Sequence, residues 1–405
     1  DWAALEQTLS QPLLADLGQQ IELPFDMHIQ GIHGTNWQYQ AINTKGESEF
    51  EVKVSSADLL ADATGDNVQL QTLSVTSSLG EVQAKGQIQL QADFPLQLNI
   101  NADLNALKQK ETVLLPATKA NLTLSGTLKK QTALLLQTQG VIDAELKAEA
   151  QLTAPKTPLN VKLAVARGQY PFDGNDPLSI KDVNLTINGD ILTSQIQLNG
   201  AVSGMGIPAN SLDLQAIGHL SNIEIHQLKL NALEGSAELK GDVNWRDGVE
   251  WNSHLQLAKM NLGRYLSAFP AVLSGELSSQ GQVNQKGWQV AVPQVDIQGT
   301  LAQHSLALQG GLTAGDQQGV TIPQLVLTYG ENKIHAQGSM GKQSDFTLNI
   351  HAPNLRGLWA DLSASLVGQI KLNGDVMRPR VDVDLTANHV AFQQMHLNQA
   401  VIKGQ

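Results

Sequence analysis

No cysteine occurs among the 405 residues, which excludes disulfide staples, thiolate metal sites and cysteine nucleophiles. That absence fits an oxidising compartment, where stray thiols are a hazard. Aromatic residues are only 4%, so the flat rings that usually anchor compact cores, sugar sites or nucleic-acid bases are scarce. Charged residues are 16%, well below the roughly 25% of ordinary soluble domains. The formal net charge is −12, and no run of Lys or Arg is dense enough to track a phosphate backbone, which argues against nucleic-acid binding. No apolar stretch approaches the ~18 residues of a spanning helix. The chain opens at Asp1 and stops at Gln405 inside the strand-like VIKGQ. It reads as a segment of something longer, with any signal or anchor expected outside it.

What is present is methyl-rich. Hydrophobic residues are 41%, mostly Leu, Val, Ile and Ala, and the polar remainder is largely Gln, Asn, Ser and Thr, which suit the solvated face of a sheet. Period-two alternation recurs from end to end, as in QIQLQA (87–92), PLQLNINA (95–102), NLTLSG (121–126), PLNVKLAVA (158–166), VNLTING (183–189), NIEIHQLKL (222–230), HSLALQG (304–310) and RVDVDLTA (380–387). Such runs, broken by Gly, Pro or Asn, signal antiparallel strands with one apolar and one polar face. Asp247-Gly248 in VNWRDGVEW (243–251) marks a hairpin in which both residues can take positive φ.

Helical periodicity is confined to short pieces. Residues 2–18 predict one helix or two short ones around Pro12, stopped by Gly18. Leu262, Tyr265, Leu266 and Phe269, and again Leu355, Leu358, Trp359 and Leu362, fall at one-face helical offsets. These two pieces head a repeated phrase. Leu262 is followed by Gly275 at 13 residues and Gly281 at 6 more, and Leu355 by Gly368 and Gly374 at the same spacings. A looser copy, LNINADLNAL (98–107), leads to Gly126, with Ala120 where the earlier glycine would stand. Repetition of this kind argues for an array built along one axis: a short helical segment at 1–20, then a continuous β-array over 21–405 with approximate repeats near 86–128, 241–282 and 334–375.

Every strand carries an apolar face, yet helices to cover it are few. A sandwich of two facing sheets, an outer-membrane barrel, or a curled sheet holding apolar ligands would each satisfy it. The barrel is disfavoured, since its strands should run about 9–11 residues between aromatic girdles, whereas these runs are mostly five to eight long and the ten Tyr and Trp show no paired placement. One-dimensional repetition and the near absence of rings and charges favour the curled, antiparallel-rich sheet. Its expected lining is Ile88, Leu90, Leu98, Ile100, Leu122, Leu124, Leu159, Val161, Leu163, Leu185, Ile187, Leu255, Leu257, Leu306, Leu308, Leu348, Ile350, Val381, Val383 and Leu385. Each of these also reads as a plain core position.

Signatures of chemistry are weak. GMGIPA (204–209) matches a dinucleotide glycine pattern but runs into Pro208 and another strand. DGND (173–176) starts like a calcium loop, yet Pro177 follows and the bidentate Glu is missing. Asp382 and Asp384 alternate with Val381, Val383 and Leu385 and so belong to the solvated side. His28 with His33, and His389 with His396, lack the spacing and third ligand of a metal site. Neither a nucleophile elbow nor a phosphate-cradling loop occurs. We expect no catalysis, cofactor or metal.

The strand-then-Asn-Leu phrase, GQIKLNG (368–374), Pro379 five residues on, and VDVDLTANHV (381–390) resemble modules of the AsmA-like proteins of the bridge-like lipid-transfer superfamily. LPFDMHIQGIHG (23–34), PLQLNINADLNAL (95–107) and ALEGSAELKGDVNWRDGVEW (232–251) are similar to the periplasmic portion of a member of that family, and the likeness covers nearly the whole chain. It implies a long, taco-like β-sheet with a continuous hydrophobic groove. It also implies a periplasmic conduit of Gram-negative bacteria that shields phospholipid acyl chains between inner and outer membranes. An inner-membrane anchor and a C-terminal region reaching an outer-membrane barrel belong to the family pattern and are not recognisable here. Within the groove reading, the Leu262 and Leu355 pieces become small apolar lids at its edge, or plugs at a bend. A different class of function, scaffolding of outer-membrane proteins or autotransporters by strand addition, fits the same strands. A third, an extracellular adhesin, requires tightly packed facing sheets.

Overall fold

A computed structural model describes residues 2–14, 18, 20–42, 48–109, 112–172, 174–356, 362–375, 378–392 and 394–405. It divides into two units, Asp1–Leu220 and Ser221–Gln405, and alternation builds both. The first holds one helix, α1 (Trp2–Leu9), followed by β1 (Met27–Ile42), β2 (Ser48–Thr64), β3 (Asn67–Ser77), β4 (Gly80–Gln89), β5 (Pro95–Leu104), β6 (Leu107–Gln109), β7 (Thr112–Leu115), β8 (Thr118–Thr127), β9 (Thr132–Gly140), β10 (Asp143–Ala150), β11 (Leu159–Tyr170), β12 (Leu178–Gly189), β13 (Thr193–Gly204) and β14 (Ile207–His219). Each main strand pairs antiparallel with the next, and β5 pairs with β8 across the separate β6–β7 hairpin. The second unit is a meander of β15 (Asn222–Ala232), β16 (Gly235–Asn244), β17 (Val249–Asn261), β18 (Ala271–Asn284), β19 (Gly287–Leu301), β20 (His304–Gly315), β21 (Gly319–Tyr329), β22 (Asn332–Met340), β23 (Gln343–Ala352), β24 (Leu362–Asp375), β25 (Arg380–Phe392) and β26 (Met395–Gly404). Its ladders are likewise all antiparallel.

Among the described residues no ladder joins β1 to β14, or β15 to β26, so neither sheet closes into a barrel. The chain is all-β, as the alternation predicts. The strands are longer than expected, however, reaching 16 and 17 residues in β1 and β2. Strand length therefore does not argue against a barrel; the open ladders do. Alternation breaks inside strands because single extra residues are inserted there. β15, β17, β19 and β21 each carry one, opposite Lys240, Ser274, Gly311 and Gln337. Pro293 and Pro323 fall within two of these bulges, where the missing N–H costs no ladder bond. Each bulge bends its strand and increases its twist.

The expected helices shrink. Among the described residues of 2–18 only α1 is helical, and 261–269 gives one 3-10 turn at Leu262–Arg264. Most of the 354–362 piece, including Leu358 and Trp359, lies outside the described residues. After α1 the chain runs along the hairpin tips of the first unit. Ser10 O accepts from Lys156 N at 3.1 Å, Leu14 N donates to Leu152 O at 2.9 Å, Ile21 N donates to Leu90 O at 2.7 Å, and Asp26 accepts from Gly65 N at 3.0 Å. Lys129 Nζ donates to Gly18 O and sits 4.9 Å from the centre of the Phe94 ring. Phe94 is 1% exposed, so the most deeply buried aromatic ring among the described residues pins this strap to the β4–β5 and β8–β9 tips.

Two strand glycines are required by close approach. Gly275 (φ +137°) and Gly310 (φ +136°) would each place a Cβ 2.0 Å from a neighbouring carbonyl oxygen, of Asp296 and Gln324 respectively. Gly310→Val should lower stability by about 1–3 kcal/mol or more, read as an earlier midpoint in urea denaturation. Gly404→Val, where nothing lies within 4 Å, should leave the midpoint in place.

Candidate functional site

Register assembles the apolar side chains into transverse rows. In the first unit one row passes through directly opposed residues on all twelve main strands: Ile32, Leu59, Leu73, Ala84, Ile100, Leu122, Leu136, Leu146, Leu163, Leu185, Leu198 and Leu214. A parallel row carries Leu98, Leu124, Leu134, Ala148, Val161, Ile187, Ile196 and Ala216. The second unit repeats the arrangement with Leu228, Leu239, Leu255, Leu277, Val295, Gly310, Leu325, Ala336, Leu348, Ile370, Val383 and Gly404. One residue along, in the first unit, the opposite face reads Gln83, Asn101, Asn121, Gln137, Glu145, Ala164, Asn184, Asn199 and Asp213.

No leucine among the described residues is buried. The buried apolar side chains are chiefly alanines, with Phe94, Val165, Met260, Val295, Ile322 and Tyr329. Leu98, Leu122, Leu163, Leu185, Leu255 and Leu348 are half-buried. Facing sheets in dry contact would bury such rows completely. Buried Asn332 donates to Tyr329 O at 3.1 Å and accepts from Asn354 N at 3.0 Å.

The outer face carries the ion pairs, such as Arg167 with Asp143 at 2.6 Å and Lys403 with Asp384 at 3.2 Å. These pairs are exposed and contribute little to stability. A polar hollow of about 730 Å³ opens there, between Asn121, Gln137, Glu145, Arg167 and Asn184. His28 and His33 pair across the ladder with Asp62 and Asp58 and not with one another. Gly204, Met205 and Gly206 of the GMGIPA stretch form the β13–β14 turn, tied to Asp176 of DGND through Gly206 N at 3.0 Å, while Asp173 is not described. Among the described residues no three His, Asp or Glu side chains are placed to hold a metal, and no helix is long and apolar enough to cross a membrane.

Of the lining expected from sequence, every residue except Leu90 lies in a main-sheet ladder, on the face of the rows given above for its unit. Leu90 lies just past β4, where its N–H reaches Asp66 O at 2.6 Å. Val381 sits at a margin and is exposed. Sequence reading missed Leu134, Leu136, Leu146, Leu198, Leu277, Val295, Leu325 and Ile370, which the ladders place in the same rows. For Val295 the available signal was a change of parity: Val290 and Val292 face inward before the bulge at Pro293, and Val295 and Ile297 after it. The Asp247-Gly248 hairpin joins β16 and β17, but only Gly248 takes positive φ.

All 405 residues match the family model described as TamB, N-terminal domain. The chain belongs to the TamB family. The translocation and assembly module subunit TamB of Haemophilus influenzae is 44% identical over 406 residues, covering 100% of this chain and 31% of that protein. An uncharacterised protein of Buchnera aphidicola subsp. Schizaphis graminum is 20% identical over 300 residues, covering 72% of this chain and 28% of that relative. The chain thus spans about a third of the length of the curated relatives it matches. No solved structure matches it.

In this TamB domain the turn at Leu262–Arg264 is tied down by Glu234, which holds Arg264 at 2.6 Å and accepts from Asn261 Nδ2 at 2.8 Å. The Arg264 hydrogen bond, then that of Asn261, keeps the Glu234 carboxyl below the usual glutamate range. The folded state therefore favours the ionised form. The tie is complete above the ordinary glutamate pKa and is lost as pH falls through the lowered one. Acidification from about pH 6 to about pH 3 should lower the amide-exchange protection factors of residues 262–269, referred to the intrinsic rate at each pH, ahead of those of β17 and β18, and Glu234→Gln should reproduce that loosening at neutral pH.

Proposed function

We propose that this TamB-family domain forms a stretch of a periplasmic conduit in a Gram-negative bacterium, whose aliphatic face shields phospholipid acyl chains passing between inner and outer membranes. The parent protein is held in the inner membrane by an anchor outside this chain. It meets the outer-membrane barrel TamA through regions also outside it, within the translocation and assembly module. The observation that carries the reading is the set of apolar rows, one across the twelve main strands of each unit with glycine at two positions of the second, in which no described leucine is buried.

Exposing the roughly 30 methylenes of a diacyl lipid to water costs on the order of 24 kcal/mol at about 0.8 kcal/mol each. A continuous aliphatic surface removes most of that cost. Methyl contacts are non-directional, so a chain shifted by one strand meets nearly the same energy. Hydrogen-bonding pockets would trap it, and satisfied groups such as Asn332 offer none. The reading calls for no catalysis.

A photocrosslinking residue at position 163 or 348 should capture phospholipid, identified by mass spectrometry of the adduct, while one at Gln97 or Gln137 should not. Leu163→Asp and Leu348→Arg should abolish lipid transfer in cells without unfolding the sheet. Equal capture at inward and outward positions, or transfer unaffected by these charges, would refute the conduit.

A further inference from the structure

The six tryptophans are unevenly spread. Trp245, Trp251 and Trp288 fall within 44 residues, and the ladders bring them to one end of β16–β19 in the second unit. Val243 lies opposite Trp251, Trp251 opposite Gly281, and Gly281 opposite Val290. One step nearer the turns, Val249 lies opposite Val283 and Val283 opposite Trp288. These positions continue the inward faces that carry Leu255 and Leu277, so the aliphatic rows end here in a border of indoles.

The border is built. The Trp251 ring covers Gly281, where a Cβ would meet it at 2.4 Å, and its Nε1 donates to Ser279 Oγ at 3.1 Å. Around it Trp245 is 38%, Val249 46%, Val283 49% and Trp288 44% exposed. Beyond the indoles the turns carry both signs of charge, with Arg246 and Asp247 between β16 and β17, Lys286 between β18 and β19, and Asp316 between β20 and β21. The amide of Asp316 donates to Trp288 O at 3.3 Å, and its carboxylate lies over Gly287, the residue before that indole.

Aliphatic surface, then indole, then mixed charge is the order of polarity along one phospholipid, from acyl chain through glycerol esters to a zwitterionic head. Indole suits the middle zone, since its ring is apolar and its N–H can donate to an ester carbonyl. We propose that this indole border seats the glycerol and headgroup junction of a single zwitterionic phospholipid whose chains lie on the rows of the second unit. The assignment rests on the lipid reading above and sharpens it, because it gives a nearly uniform surface one preferred stopping place.

The test uses the intrinsic fluorescence of the purified chain loaded with phosphatidylcholine brominated either near the ester end or near the methyl end of its acyl chains. The ester-end probe should quench more strongly, and the Trp245→Phe/Trp288→Phe variant should lose most of that excess, with Trp251 retaining the rest, while keeping its circular dichroism and its photocrosslinks at position 348. Loading with anionic phosphatidylglycerol in place of the zwitterion should weaken binding in the native chain and not in the variant. Crosslinks at 348 with equal quenching by both probes would overturn the seat and leave the conduit standing. Absence of lipid at every inward position would sink both. Quenching seen only with intact vesicles would make the patch a bilayer-docking surface and so refute the proposal.

Discussion

Register is the constraint on which everything else depends. Side chains alternate across a strand with a period of two, so a slip of one residue would send a strand's leucines to the solvated side. The rows of the two units persist across twelve strands each because every ladder keeps Leu, Ile, Val, Ala or Gly opposite its like. Even where an extra residue enters a strand, the sequence compensates. In β21, Val320 and Ile322 lead into the bulge at Pro323, and Leu325 and Leu327 resume on the opposite parity. The hydrophobic pattern therefore encodes the bulges as well as the strands, and the bulges can bend the sheet without breaking its apolar face.

A sheet stabilised in this way has little interior. Its buried apolar positions are mostly alanine, and a strand gains its partners from two neighbours and not from a second layer. Stability is then close to a sum of neighbour-to-neighbour ladders, as in repeat proteins. The deeply buried Phe94 serves a different purpose. It lies at the rim, beneath Lys129, where the segment after α1 crosses successive hairpin tips. Main-chain bonds at Ser10, Leu14 and Ile21 tie together strands that the ladders link only in series. On the conduit reading, such a strap fixes the spacing of one rim while leaving the aliphatic face uncovered.

How much of this the sequence displays follows from what each residue must satisfy. Leu98 and Ile100, or Leu348 and Ile350, alternate cleanly with polar neighbours, and their face could be read directly. Leu134, Leu135 and Leu136 could not, because three leucines in a row have no parity; only pairing with Leu124, Thr123 and Leu122 turns Leu134 and Leu136 inward. The helical spacing of Leu262, Tyr265, Leu266 and Phe269 misled for a related reason. Those residues link β17 to β18 in a single 3-10 turn, and Tyr265 and Leu266 remain exposed. The strap was illegible because its anchors are backbone groups, which leave no mark in residue type. The indole border was legible only as a count of scarce rings until the ladders placed Trp251 and Trp288 two strands apart on one face.

Sameness and difference divide the sheet between its middle and its margins. Along the rows, Leu, Ile, Val and Ala offer contacts of similar, non-directional energy, and the buried Asn332 side chain donates to the Tyr329 carbonyl and accepts from the Asn354 amide. Nothing there distinguishes one strand from the next for an apolar ligand. Directional chemistry lies on the outer face and at the hairpin ends: Glu234 holds Arg264 at the turn after β17, and at the other end of β17–β19 the Asp316 amide donates to the Trp288 carbonyl. On the conduit reading, a surface of this kind sets position and orientation at the rims, while the rows set how easily an acyl chain moves between them. The alternation that makes the sheet fold thus also decides where selectivity can reside.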